Sequence, residues 1–131
     1  MAVTERRTNS RWLAPLLADL ICVLALAAGG KSSHEPGESE WVVLVIVWPF
    51  AVAAGMAHAW LAFRDRPATR VWPEGVTVLA ATYVLGMLMR GLSGRGLAPG
   101  FLVVAAVFLA VTMLGWRGVV HLVSRRRARR A

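Results

Sequence analysis

The chain has 131 residues, 57% of them apolar and 17% charged, with Lys and Arg outnumbering Asp and Glu 15 to 7 for a net charge of +8. Its mean hydropathy is +0.58 and its apolar residues are gathered in blocks with no half-polar helical face, which excludes an ordinary soluble domain. The single cysteine, Cys22, lies inside an apolar block and excludes an internal disulfide and a cysteine-based metal site.

After a basic start containing Arg6, Arg7 and Arg11, apolar runs cover residues 12–29, 41–63, 71–92 and 101–123, and a basic tail covers 124–131. Each run is long enough to cross a hydrocarbon core, which takes about 20 helical residues. The fold class predicted is all-α: a polytopic membrane protein made of one antiparallel four-transmembrane-helix bundle that occupies residues 1–131. The gaps at 30–40, 64–70 and 93–100 are brief, so neighbouring helices run antiparallel and touch. A cleaved signal peptide over residues 1–27 fits the outline of a basic start and the Ala25-Leu26-Ala27 triplet, but Pro15 and Asp19 interrupt its apolar core.

Positive residues set the orientation, because Lys and Arg in short loops stay on the cytoplasmic side. Arg6, Arg7 and Arg11, then Arg64, Arg66 and Arg70, then the tail mark one side, against Lys31, Arg90 and Arg95 on the other, where Glu35, Glu38 and Glu40 also lie. Both termini are expected inside, in a bacterial cytoplasmic membrane. Trp12, Trp41, Trp60 and Trp72 fall near helix ends, at the depth where an indole meets headgroups. Pro49 removes a backbone donor in the second run and predicts a kink.

Polar residues within the runs are the candidates for a site, since a charge at mid-membrane costs roughly 2.5–3.5 kcal/mol and normally faces a helix interior or water. Asp19 lies about 10 Å from the cytoplasmic end of its run and Arg117 about 12 Å, at 1.5 Å per residue. Ala106 and Ala110 share the face of Arg117, and His58 shares a face with Ala51, Ala54 and Gly55, where Ala51, Gly55 and Ala59 repeat in the small-xxx-small manner. The expectation is a buried polar cluster of Asp19, His58, Glu74 and Arg117 near the inner mouth. A fold-locking Asp19–Arg117 pair is preferred over a protonation or ion site. Thr82, Gly86 and Arg90 rise along one face of the third run toward the outside, and Arg90 is expected to snorkel or pair with a loop in preference to contacting an external anion.

Other patterns carry less chemistry. Ala25, Gly30, Lys31 and Ser32 meet a loose phosphate-loop pattern, but a membrane helix supplies neither the strand nor the helix N-terminus that cradles phosphate. His58 and His121 lie at comparable depth and could together ligate a haem b, with Arg117 near a propionate; no cofactor and no metal is the preferred reading. Arg125, Arg126, Arg127, Arg129 and Arg130 directly follow a spanning run, which points to contact with anionic lipid and away from nucleic acid. Motifs of hydrolases and zinc proteases are lacking, so an enzyme is not expected.

The segments Ala18-Asp19-Leu20, residues 31–34, Trp48-Pro49-Phe50, Trp72-Pro73 with Gly75, Gly86-Met87 with Arg90, and Gly115-Trp116-Arg117 together resemble a family of small actinobacterial membrane proteins, domain of unknown function 3054. The resemblance runs from Trp12 to about His121 and leaves out the arginine tail. It implies an architecture and supplies no catalytic residues. In length, helix number and an acid in helix 1 the chain is also similar to small multidrug transporters, but it has Asp where they have Glu, and its charge bias forbids dual topology.

Two functions follow as expectations. The first is a non-enzymatic accessory or assembly subunit docking on a larger membrane complex. The second is a small homo-oligomeric transporter or channel using the Asp19, His58 and Arg117 cluster, in which self-association supplies the aqueous route.

Overall fold

The computed structural model describes residues 2–32 and 41–131, with side chains placed for 11–29 and 41–131. Glu35, Glu38 and Glu40 lie outside the described residues, as do the side chains of Arg6, Arg7 and Lys31. Among the described residues the secondary structure is helical, with α1 over Ala2–Ser32, α2 over Trp41–Phe63, α3 over Val76–Leu92 and α4 over Pro99–Arg130. Each of the stretches Arg11–Gly29, Trp41–Phe63, Val71–Leu92 and Pro99–Arg130 is long and apolar enough to cross a membrane.

Local chemistry explains where these helices stop and start. The end of α2 closes with Arg66 N–H donating to Leu61 C=O at 2.9 Å and Asp65 N–H to Ala62 C=O at 3.1 Å, with Asp65 at φ 52°. The end of α3 repeats this pairing from Arg95 to Arg90 and from Gly94 to Gly91, with Gly94 at φ 81°. Both are Schellman closures, which satisfy orphan carbonyls through one left-handed residue. Helix α4 begins with Pro99 after an extended Ala98, the position where a missing N–H costs nothing.

The third apolar run departs from the expected single helix over 71–92. Trp72 is extended (φ −130°, ψ 135°), and Val71–Gly75 forms a separate turn in which Gly75 N–H donates to Arg70 C=O at 2.9 Å. Pro73 accounts for this, because the residue before a proline is pushed out of helical geometry. The expected separate tail over 124–131 is instead the end of α4, helical through Arg130.

α1 packs against α2 and α4, and α3 packs against the same two, so the four helices close around one interior. Val23 and Leu26, Phe50 and Leu61, Val78 and Met87, and Leu109 and Met113 fill it. On α4 the buried positions Ala105, Leu109, Met113 and Arg117 recur every four residues, which puts them on one stripe. Ala106 and Ala110 lie half-buried at the edge of that stripe. On α2 the buried face includes Phe50, Ala54, Ala57, His58 and Leu61. The small-residue stripe falls one step round: Ala51 and Gly55 are half-buried and Ala59 is exposed, and a Cβ on Gly55 would meet nothing within 4 Å. Pro49 is buried within a continuous α2.

Close approach between α2 and α3 depends on Gly86, where an added Cβ would lie 2.4 Å from the Phe50 ring. Phe50 also meets Phe101 at a centroid distance of 6.3 Å, and Tyr83 Oη donates to Leu102 C=O at 2.9 Å, joining α3 to α4. The outward positions are apolar as well, among them Ile21, Met56, Val84 and Val111, each more than half exposed. Such a surface matches a lipid solvent and conflicts with water.

Candidate functional site: a sealed carboxylate network

Asp19 is fully buried, and its carboxylate collects four hydrogen-bond contacts. Arg117 grips it with two prongs, Nη1 to Oδ1 at 2.8 Å and Nη2 to Oδ2 at 2.6 Å. Trp116 Nε1 donates to Oδ1 at 2.9 Å, and His58 Nε2 lies 2.6 Å from Oδ2. A carboxylate paired with a guanidinium only accepts, so His58 carries its hydrogen on Nε2. Nδ1 of the same ring is buried without a partner among the described residues.

Arg117 is as completely held as its partner. It too is fully buried, with Nε donating to Ala68 C=O at 2.8 Å and Nη1 also donating to Met113 C=O at 2.9 Å. Its guanidinium carbon sits 4.4 Å from the centre of the Trp116 ring. Two-pronged charge-assisted pairs of this kind fix geometry as well as charge. Gly75 makes room for the side chain: an added Cβ there would lie 2.8 Å from Arg117 Cδ and 2.7 Å from Arg70 C=O. Helix α1 thus supplies the acid, α2 the imidazole, α4 the base and the indole, and the 64–70 connection a carbonyl.

This arrangement is suited to holding helices together and poorly suited to meeting a solute. Both carboxylate oxygens are occupied and the pair has no exposed surface, so neither ion is open to water or substrate.

The sequence-predicted residues divide as follows. Asp19, His58 and Arg117 come together. Glu74 does not join them: it is buried in the turn before α3, among the described residues neither of its oxygens accepts a hydrogen bond, and it pairs with Arg66, whose Nε lies 3.3 Å from Oε1. The 3.3 Å contact is an ion pair without hydrogen-bond geometry. Thr82 lies in the interior, fully buried with Oγ1 unpartnered among the described residues. Arg90 is half-buried and stacks 4.2 Å over the Phe101 ring.

His121 is exposed on α4 while His58 is buried against Asp19, so the two do not share one enclosed pocket. Arg125, Arg126, Arg127, Arg129 and Arg130 are exposed along the end of α4, and Cys22 is a half-buried free thiol. Among the described residues no three of His, Cys, Asp and Glu gather as a metal site.

Trp116, the Ala68 carbonyl and Gly75 belong to the network but were not expected from the sequence. The signal for two of them was adjacency, Trp116 beside Arg117 and Gly75 beside Glu74. Ala68 contributes backbone, which no side-chain pattern announces.

No curated protein and no solved structure matches this chain. A family model described as "Protein of unknown function (DUF3054)" matches residues 16–120, a stretch that contains every member of the carboxylate network, and the chain belongs to that family.

Proposed function

We propose that the chain is a multi-pass protein of an actinobacterial cytoplasmic membrane, inserted as an antiparallel four-helix bundle with both termini inside. In this reading it is a non-enzymatic accessory or assembly subunit that carries no haem and docks on a larger membrane complex. One observation carries the proposal: the buried ions Asp19 and Arg117 satisfy one another and are sealed, while the sides of the helices are apolar and exposed. A pair closed in this way supports a fixed shape, and an apolar side is what another membrane helix packs against. The exposed arginines at the end of α4 support an inner-leaflet position beside anionic headgroups.

The test is affinity purification from native membranes in mild detergent, with mass spectrometry and mass determination of the eluted particle. A stoichiometric larger membrane partner supports the proposal. A pure homo-oligomer overturns it in favour of a small oligomeric transporter, the reading favoured by the Nδ1 of His58 beside Asp19, buried and without a partner among the described residues. An absorption spectrum of the same sample without a Soret band is expected.

A further inference from the structure

Outside the carboxylate network, a cleft of ≈ 490 Å³ opens between the end of α2 and the turn Val71–Gly75, walled by Trp60, Arg64, Arg66, Pro73, Glu74 and Thr77. Its volume lies within the roughly 300–1,000 Å³ usual for small-ligand sites. Glu74 lines it with a carboxylate that is 1% exposed and, among the described residues, accepts no hydrogen bond on either oxygen. Arg66 offsets the charge from one side at 3.3 Å but leaves the acceptors unfilled. Arg64 and Arg66 are exposed, and Arg64 is braced 5.5 Å over the Trp60 ring.

A buried carboxylate without donors is costly, so the cleft favours an occupant that brings N–H groups. The charges narrow the choice. A simple anion would be repelled by Glu74, and a bare metal cation would meet two guanidinium groups and a single acid. What fits both is a zwitterion: an ammonium with three donors for Glu74, joined to a phosphate for the two arginines.

We infer that this cleft binds a ligand joining a primary ammonium to a phosphate, the chemistry of an ethanolamine phospholipid headgroup, with the ammonium on Glu74 and the phosphate on Arg64 and Arg66. The cleft lies where the apolar stretches Trp41–Phe63 and Val71–Leu92 meet the basic 64–70 connection, which is headgroup depth under the membrane placement proposed above. The inference rests on that placement and is independent of whether the chain is an accessory subunit or a transporter.

Native mass spectrometry titration of the purified full chain in detergent tests it, using dioleoyl phosphatidylethanolamine, phosphatidylcholine and phosphatidylglycerol, and soluble phosphoethanolamine as competitor. The ethanolamine lipid is expected to bind about tenfold more tightly than the choline lipid, whose methylated nitrogen has no N–H for Glu74. Glu74→Gln should erase that preference. The surface variant Arg64→Ala with Arg66→Ala should weaken both zwitterionic lipids while preserving their ratio. Equal affinity for the three lipids in the unaltered protein, or a preference that survives Glu74→Gln, overturns the inference. Competition by phosphoethanolamine at equal molar affinity supports the site with a soluble ligand, and failure to compete supports the lipid. If Glu74→Gln does not fold, the comparison of lipids on the unaltered protein decides alone.

Discussion

Asp19→Asn and Arg117→Gln, made singly and together, form the most direct probe of the sealed network. The asparagine keeps the shape of Asp19 but withdraws the negative charge from a guanidinium that has no exposed surface. Arg117 then retains only the carbonyls of Ala68 and Met113 and a neutral amide. Removing one partner of a buried pair costs about 3–5 kcal/mol, and that is the expected loss for Asp19→Asn. Arg117→Gln leaves the carboxylate with two donors, Trp116 Nε1 and His58 Nε2, so its loss should lie toward the lower end of the same range. The double variant buries no unpaired ion, and its loss should fall short of the sum of the single losses by about 2–3 kcal/mol. Reversible unfolding in mixed micelles with increasing SDS, followed by tryptophan fluorescence, gives all three values. Additive losses would show that the two residues contribute separately, and the reasoning from the two-pronged contact would be wrong.

Three further outcomes are expected. Trp116→Phe keeps a ring over Arg117 but removes one donor to the carboxylate, and should cost about 1.5–3 kcal/mol in the same unfolding assay; a loss near zero would make the indole a bystander. Gly75→Ala should lose about 1–3 kcal/mol because its Cβ has no room beside Arg70 and Arg117, whereas Gly55→Ala, with open space around it, should be neutral or stabilising; the reverse order would contradict the packing. In a Cys22→Ser background, Ser93→Cys in intact cells should react with a membrane-impermeant maleimide and Ala128→Cys only after lysis, and the opposite pattern would invert the proposed orientation.

Much of the fold was readable because helices long and apolar enough to cross a membrane leave a coarse record. Continuous apolar runs mark them, and Pro99 and Gly94 sit at a helix start and a helix end that chain chemistry explains. The meeting of Asp19 with Arg117 was readable from equal depth and opposite charge. Glu74 was assigned to the same cluster because it stands beside that depth in sequence. Pro73 breaks the run there, so Glu74 enters the interior from a turn and reaches Arg66 instead. The small stripe Ala51, Gly55 and Ala59 suggested a tight seam, but interior space goes to Phe50 and Leu61 one step away. The Ala68 carbonyl depends on the path of a short connection, a tertiary property that residue types do not encode.

The order in which the network's members leave the ribosome has a consequence for assembly. Asp19 precedes His58 by 39 residues and Arg117 by 98. At about 5–20 residues per second the acid is made some 5–20 seconds ahead of its base. On the proposed placement, α1 therefore enters the bilayer carrying a carboxyl group without its counter-ion, against an insertion penalty of roughly 2.5–3.5 kcal/mol. His58 arrives with α2, well before α4, and on that placement is the first of the Oδ2 partners to be made. If the imidazole serves as the acid's interim partner, pulse-chase labelling should show a His58→Leu protein degraded during biogenesis more severely than its equilibrium stability in detergent accounts for, and equal losses in the two assays would refute it.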